Sequence, residues 1–204
     1  MTTALAPRKT HTSEEYFALE AESEATGGIR REFRNGEIIE ITGGTPIHSQ
    51  LITSVNALLW LKLRGKGFSV FSSDLRLYIP AFEQYVYPDG MVIQNPVQLK
   101  EGRKDTVTNP ILIVEVLSPA TESYDRGAKF AAYRSLPTLQ EYLLIDQARI
   151  SVEHYRCQGN VEWIFRDYHA LDDVVTLPSV NITFSLADIY GDIELEQDSN
   201  ATRS

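Results

Sequence analysis

The chain has 204 residues, of which 43% are hydrophobic and 23% charged, and its formal net charge is −9. That balance describes a globular chain able to bury one sizeable core; its acidity argues against coating nucleic acid without selectivity, yet leaves room for a local basic groove or a cation-loaded site. No apolar run reaches the roughly 18 residues needed to cross a bilayer, and the start MTTALAPRKT has no hydrophobic signal region, so a cytoplasmic protein without a membrane span is expected. The lone Cys157 excludes an internal disulfide and a zinc-thiolate cluster, so a metal here must be held by oxygen or histidine.

In chain order, THTSEEYFALEAE has a threonine or serine cap and predicts a short amphipathic helix presenting Tyr16, Phe17 and Leu19. EFRNGEIIEI, residues 32–41, carries an Asn-Gly pair and predicts a hairpin. Thr45 as cap and Pro46 at the first helical position open a long core helix to about Arg64, with Leu51, Ile52, Val55, Leu58, Leu59 and Leu63 at helical spacing. FSVFSSDLRLYIP reads as one strand closed by Pro80, and YVYPDGMVI as a second. After the charged loop KEGRKDTVTNP, ILIVEVLSP is a third. ESYDRGAKFAAYRSLP predicts the next helix, stopped by Pro137, and YLLID, ISVEHYR and VEWIFRDY supply further strands. This order predicts an α/β (α+β) fold, a mixed β-sheet flanked by helices, as a single domain over 1–191 with a disordered polar tail over 192–204.

Within ILIVEVLSP, residues 111–119, a strand puts Ile111, Ile113 and Leu117 on one face with Glu115, and Leu112, Val114 and Val116 on the other. Both faces look buried, and a carboxylate there costs several kcal/mol unless a cation, a strong donor or a metal ion lies close by. Asp89, on the preceding strand, can face it across about 5 Å. Two carboxylates in one pocket repel or take up a proton, whereas a divalent ion keeps both ionised. Mg2+ (or Mn2+) suits such a pair, because it accepts one or two carboxylates and keeps water or phosphate oxygens elsewhere. Lys129, spaced four from Asp125 and from Tyr133 on the following helix, could stabilise developing negative charge beside a phosphate and orient a nucleophilic water. Together these roles describe a phosphodiesterase site.

Pro88-Asp89, Glu115 in its apolar strand and Lys129 resemble the PD-(D/E)XK nuclease superfamily. YPDG, NPILIVEVLSPATESYDRGAKFAAYRSLPTLQEYLLID and VEHYR are similar, more closely, to the bacterial Uma-type family of restriction-endonuclease-like proteins, from the first helix to SLADIY. The resemblance implies a restriction-endonuclease-like fold with an N-terminal helix and hairpin, and a metal-dependent endonuclease acting on DNA. It further implies that Asp89 and Glu115 hold the ion, that the backbone carbonyl of Val116 is an added ligand, and that Lys129 is the catalytic lysine. Leu117 departs from the superfamily, standing where the basic pattern has a lysine that the family moves to the next helix. Gly90 departs too, replacing a bulkier apolar residue, which touches strand regularity and not the ligand.

Each residue also has a plainer reading. Pro88-Asp89-Gly90 is a good reverse turn, and Asp125 is read in preference as a helix cap, with Gly127 marking a start nearby. Lys129 could be a solvated lysine or a structural counter-ion to Glu115. His48 and Glu32 are secondary candidates, a lone histidine such as His48 being more often a helix-end or core residue. Asp74 interrupts its strand as Glu115 does, or pairs with Arg76 or a neighbouring loop. Lys62, Arg64, Lys66, Arg103 and Lys104 lie at element ends, placed for phosphates or for simple solvation. Walker, GxGxxG, HExxH and GxSxG signatures are absent. The alternative to an enzyme is a nuclease fold kept as a binding or assembly module, favoured by the acidic surface and the lost in-strand lysine, and opposed by the carboxylate pair. A homodimer, which would let both strands of a duplex be cut, stays open.

Overall fold

The computed structural model describes residues 10–159 and 162–195. Thr12 and Glu15 form a reciprocal capping box that starts α1 (Ser13–Thr26), and Gly27, at φ 71°, ends it in the left-handed region. Asn35 and Gly36, both at positive φ, turn β1 (Arg31–Arg34) into β2 (Glu37–Glu40). Thr45 accepts the His48 N–H and Pro46 occupies the first turn of α2 (Pro46–Leu63), which buries Leu51, Val55, Leu59 and Leu63.

Two single strands expected from the sequence are each two. FSVFSSDLRLYIP divides into β3 (Phe68–Ser72) and β4 (Arg76–Ile79), and YVYPDGMVI into β5 (Gln84–Val86) and β6 (Gly90–Gln94). The first break is a turn closed by the Leu75 N–H on the Ser72 carbonyl, at a Ser-Asp pair that favours turns. At the second, Pro88 has no N–H to continue a ladder. In both cases the two halves join different sheets.

The chain continues through β7 (Thr106–Val107) and β8 (Pro110–Leu117) into one continuous helical segment. That segment consists of α3 (Glu122–Tyr124), a π-helical turn over Asp125–Lys129, and α4 (Phe130–Tyr133). β9 (Glu141–Asp146), β10 (Val152–Gln158) and β11 (Glu162–Tyr168) follow as expected. The sequence did not assign the last elements, β12 (Val174–Leu177), β13 (Ile182–Ser185) and α5 (Ala187–Tyr190), whose four-residue lengths leave little periodicity to detect.

The main sheet has the order β11-β10-β9-β8-β6-β3 and is mixed: β8 and β9 run parallel and every other neighbour is antiparallel. A second sheet, β2-β1-β5-β4-β7, packs nearby. On one face of the main sheet, α2, the β12–β13 hairpin and α5 enclose Leu112, Val114, Val116, Leu143, Ile145 and Val152. On the other, the segment 122–133 and the second sheet enclose Met91, Ile93, Ile113, Leu117 and Leu144. All eight residues of β8 are buried, as its apolar run required. Ile111 packs with the Leu112 face and not with Ile113, following a register shift on the facing strand at Val92 and Ile93. Beyond Gly191, Ile193 packs on the core and Leu195 is buried, so the first residues of the expected tail are anchored. The rest of it, 196–204, lies outside the described residues. Among the described residues no helix is long and apolar enough to cross a membrane.

Candidate active site at the carboxyl end of β8

Asp89 lies in the bend that opens β6. Gly90 pairs with Val114 in the antiparallel ladder, so Asp89 comes beside Glu115 at the same end of the sheet. Two contacts fix it, and a third holds the chain two residues before it. Its Oδ2 accepts the Val116 N–H at 2.8 Å, its backbone carbonyl accepts the Asn56 Nδ2–H at 2.9 Å, and the Tyr87 N–H just before it is held by Glu32 Oε1 at 2.9 Å. Gly90 leaves room here: a Cβ would stand 2.9 Å from Asn56 Oδ1 and 3.3 Å from the Val114 side chain. The missing bulk at position 90 therefore makes room for the α2 side chain that grips Asp89.

Glu115 finds its partners on the helical segment. Its Oε1 accepts the Tyr133 hydroxyl at 2.6 Å and the Lys129 ammonium at 2.8 Å, all three groups being buried. Asp125 is no cap. It is buried inside the π-helical turn, with Oδ1 3.2 Å from Lys129 Nζ though outside hydrogen-bonding geometry, and its carbonyl accepts the Tyr142 hydroxyl at 3.1 Å. Gly127, a poor residue for a regular helix, sits within this wider turn, whose geometry recurs at functional sites. Lys129 is thus a buried counter-ion to two carboxylates, and the solvated reading of it is excluded.

His48, at the start of α2, donates from Nε2 to the Val116 carbonyl at 3.0 Å and stands 3.8 Å from Asp89 Oδ2. That carbonyl, expected as a metal ligand, keeps a second lone pair. Glu32 is buried, pairs with Arg34 and supports the site through Tyr87 and not by direct contact. Arg34 in turn lies over the Tyr124 ring at 3.9 Å. Asp74 is a correction: it sits on the exposed turn between β3 and β4 and pairs with Arg30, while Arg76 is engaged by Glu20 and Asp105. Arg103 likewise pairs with Asp105. The sequence missed Asn56. Its one signal was an uncharged polar residue of modest helix propensity beside Val55 on the buried side of a long helix.

Charge decides what this cluster can hold. Asp89, Glu115 and Asp125 bring three carboxylates and Lys129 one ammonium, so full ionisation would leave two negative charges unmatched. Burial pushes Glu115 up to about 8, with Lys129 pulling it down and Asp89 pushing it further up. Asp89 is raised as well, by its burial, against the pull of Lys129 and the Val116 N–H. Burial opposes the Lys129 ammonium, but Glu115 and Asp125 overcome it and hold the group above its ordinary value. Alone, then, the cluster keeps its ammonium and carries less than its full negative charge. Glu115 Oε2 and Asp89 Oδ1 accept no hydrogen bond among the described residues. Among those residues no group of three or more His, Cys, Asp or Glu side chains is arranged to hold a metal. The donor set fits a hard cation that takes two carboxylate oxygens and fills its remaining positions with water or phosphate oxygens.

The carboxylate pair thus lies at one end of a mixed sheet flanked by helices. The fold is similar to the crystal structure of a putative nuclease belonging to DUF820 from Anabaena variabilis, with a TM-score of 0.66 and 19% identity over 79% of this chain and 89% of that one. The family model Uma2, described as a putative restriction endonuclease, matches residues 13–188, and the chain belongs to this family. Two Synechocystis relatives, the uncharacterized proteins sll1609 and slr1290, are 41% and 34% identical over 163 residues. The first match covers 80% of this chain and 90% of the relative, the second 79% and 83%.

Proposed function

We propose that the protein is a metal-dependent endonuclease that hydrolyses DNA phosphodiester bonds at the Asp89–Glu115–Lys129 cluster. The observation that carries this reading is a cluster of three carboxylates against one buried ammonium, in which Asp89 and Glu115 each keep an oxygen free of hydrogen bonds among the described residues. One divalent ion would match the two negative charges that full ionisation leaves. Asp89 Oδ1 and Glu115 Oε2 would hold it, with the Val116 carbonyl as a third oxygen. When bound it supplies charge neutralisation for the phosphate and an acidified water. The chain's own groups do the positioning: Val116 N–H and Asn56 orient Asp89, Tyr133 orients Glu115, and His48 steadies the Val116 carbonyl. Lys129 supplies a fixed positive charge where negative charge develops on the phosphate, at no reorganisation cost. One chain brings one such cluster, so a homodimer is the form we propose for cutting both strands of a duplex.

A binding module is the second reading, favoured by one observation: the Lys129 ammonium is already engaged by Glu115 and Asp125. Purified protein incubated with plasmid and linear DNA, in magnesium, manganese or EDTA, separates the two. Metal-dependent nicking lost in Glu115→Gln supports the enzyme; binding of DNA without cleavage in any metal supports the module.

A further inference from the structure

On the opposite face of the main sheet, toward its β11 edge, lies a cleft of about 190 Å³ lined by His154, Arg156, Ile164, Arg166, Thr176 and Pro178. The antiparallel register sets His154 opposite Arg166 and Arg156 opposite Ile164, so these four side chains share one face of the β10–β11 ribbon. His154 shares its face with Val152, which packs in the α2-side core, whereas Glu115 faces the segment 122–133. The cleft is therefore distinct from the carboxylate cluster.

Neither the Arg156 nor the Arg166 side chain forms an ion pair or hydrogen bond among the described residues. The nearest buried acid is fully occupied. Glu141 accepts His154 Nε2–H at 2.9 Å, the Ser179 N–H at 3.1 Å and the Ser179 hydroxyl, and it is sealed from solvent. Glu162, on the same face of the ribbon, is exposed and pairs with neither arginine. The Thr176 hydroxyl is also free of hydrogen bonds among the described residues. Two unneutralised guanidiniums and a hydroxyl thus converge on a cleft whose one buried carboxylate is turned inward and covered by donors. In a chain of net charge −9 such a concentration of free cation needs a reason. Guanidinium forks match the oxygens of a tetrahedral anion, and each can donate two parallel hydrogen bonds to it.

We propose that this cleft is a phosphate-binding site, in which Arg156 and Arg166 clamp a phosphoryl group and Thr176 donates a further hydrogen bond. The Glu141–His154–Ser179 set beneath it holds the wall in place. The phosphoryl group could belong to a small phosphate or to a nucleic-acid backbone, and the two sources are separable. This site does not depend on the nuclease reading.

Binding is measured in EDTA, with the carboxylate cluster free of metal, by calorimetry with inorganic phosphate and pyrophosphate, and by fluorescence anisotropy with a labelled single-stranded oligonucleotide lacking a terminal phosphate. The wild type should bind at least one class of probe. The double variant R156A/R166A should weaken that binding about tenfold or more, while Arg149→Ala, which removes an exposed arginine paired with Asp146, should not. Lysine at both positions should restore part of the loss. An unchanged Tm in the double variant separates lost binding from lost fold. Binding of the phosphates alone assigns a small anion, and binding of the oligonucleotide that falls with the double variant assigns a backbone phosphate. If no probe binds the wild type, or the double variant binds as well as the wild type, the site does not exist.

Discussion

Glu115→Gln removes a charge from the centre of the cluster while keeping the side chain's shape. Burial pushes the Glu115 carboxyl up to about 8 from an ordinary 4.5, so the folded chain holds this proton more tightly than the unfolded chain does. A group whose folded pKa is raised gives stability that is fully present below its unfolded value and is lost as pH rises to the folded one. At about 1.36 kcal/mol per unit, that window is worth roughly 5 kcal/mol at most. Glutamine has no such proton to lose. In EDTA, the unfolding free energy of the variant minus that of the wild type should climb by about 1.4 kcal/mol per pH unit between about pH 5 and 8, then level off. Urea denaturation across that range reads it directly. Magnesium should reverse the ranking at the alkaline end, because the ion binds the folded wild type and compensates its charge. Curves that stay parallel from pH 5 to 9 would show that Glu115 does not titrate in this window, and the burial-raised carboxyl on which this prediction rests would be refuted.

Lys129→Met takes the ammonium from between Glu115 and Asp125; chemical denaturation at neutral pH should show a loss of about 3–5 kcal/mol, and nicking should cease. Tyr133→Phe deletes the 2.6 Å hydrogen bond to Glu115 and should cost about 1.5–3 kcal/mol in the same assay, with an unchanged denaturant slope. Gly90→Ala forces Asn56 away from the Asp89 carbonyl and should lower stability by about 1–3 kcal/mol, together with metal affinity by calorimetry.

Features that need only local chemistry were legible in the sequence. A charge inside an apolar octet needs a partner wherever the strand lies, so Glu115 stood out, and the Thr45-Pro46 and Asn35-Gly36 signals worked through backbone geometry alone. Asp125 was misjudged because an i,i+4 Asp–Lys pair looks the same on an exposed helix as in a buried π-helical turn; burial is a property of what packs above it. The two split strands failed for a related reason. Alternation continues through Ser73-Asp74 and through Pro88, but each half pairs with a different sheet, and pairing partners lie far away in the chain. Asn56 was beyond sequence alone, since its value lies in a contact with Asp89, 33 residues on. Family membership is shown by the match over residues 13–188, while the roles of Asp89, Glu115 and Lys129 rest on the geometry and on the tests above.

Whether Asp89 and Glu115 jointly hold one divalent ion is read by titrating Mn2+ into the wild type and Asp89→Asn in a calorimeter. One ion per wild-type chain and no measurable binding to the variant are expected, with the variant's stability in EDTA equal to or slightly above that of the wild type because like-charge repulsion has been relieved. A wild type that binds no ion at millimolar metal, or an Asp89→Asn protein that binds Mn2+ as tightly as the wild type and is clearly less stable in EDTA, would contradict that joint binding.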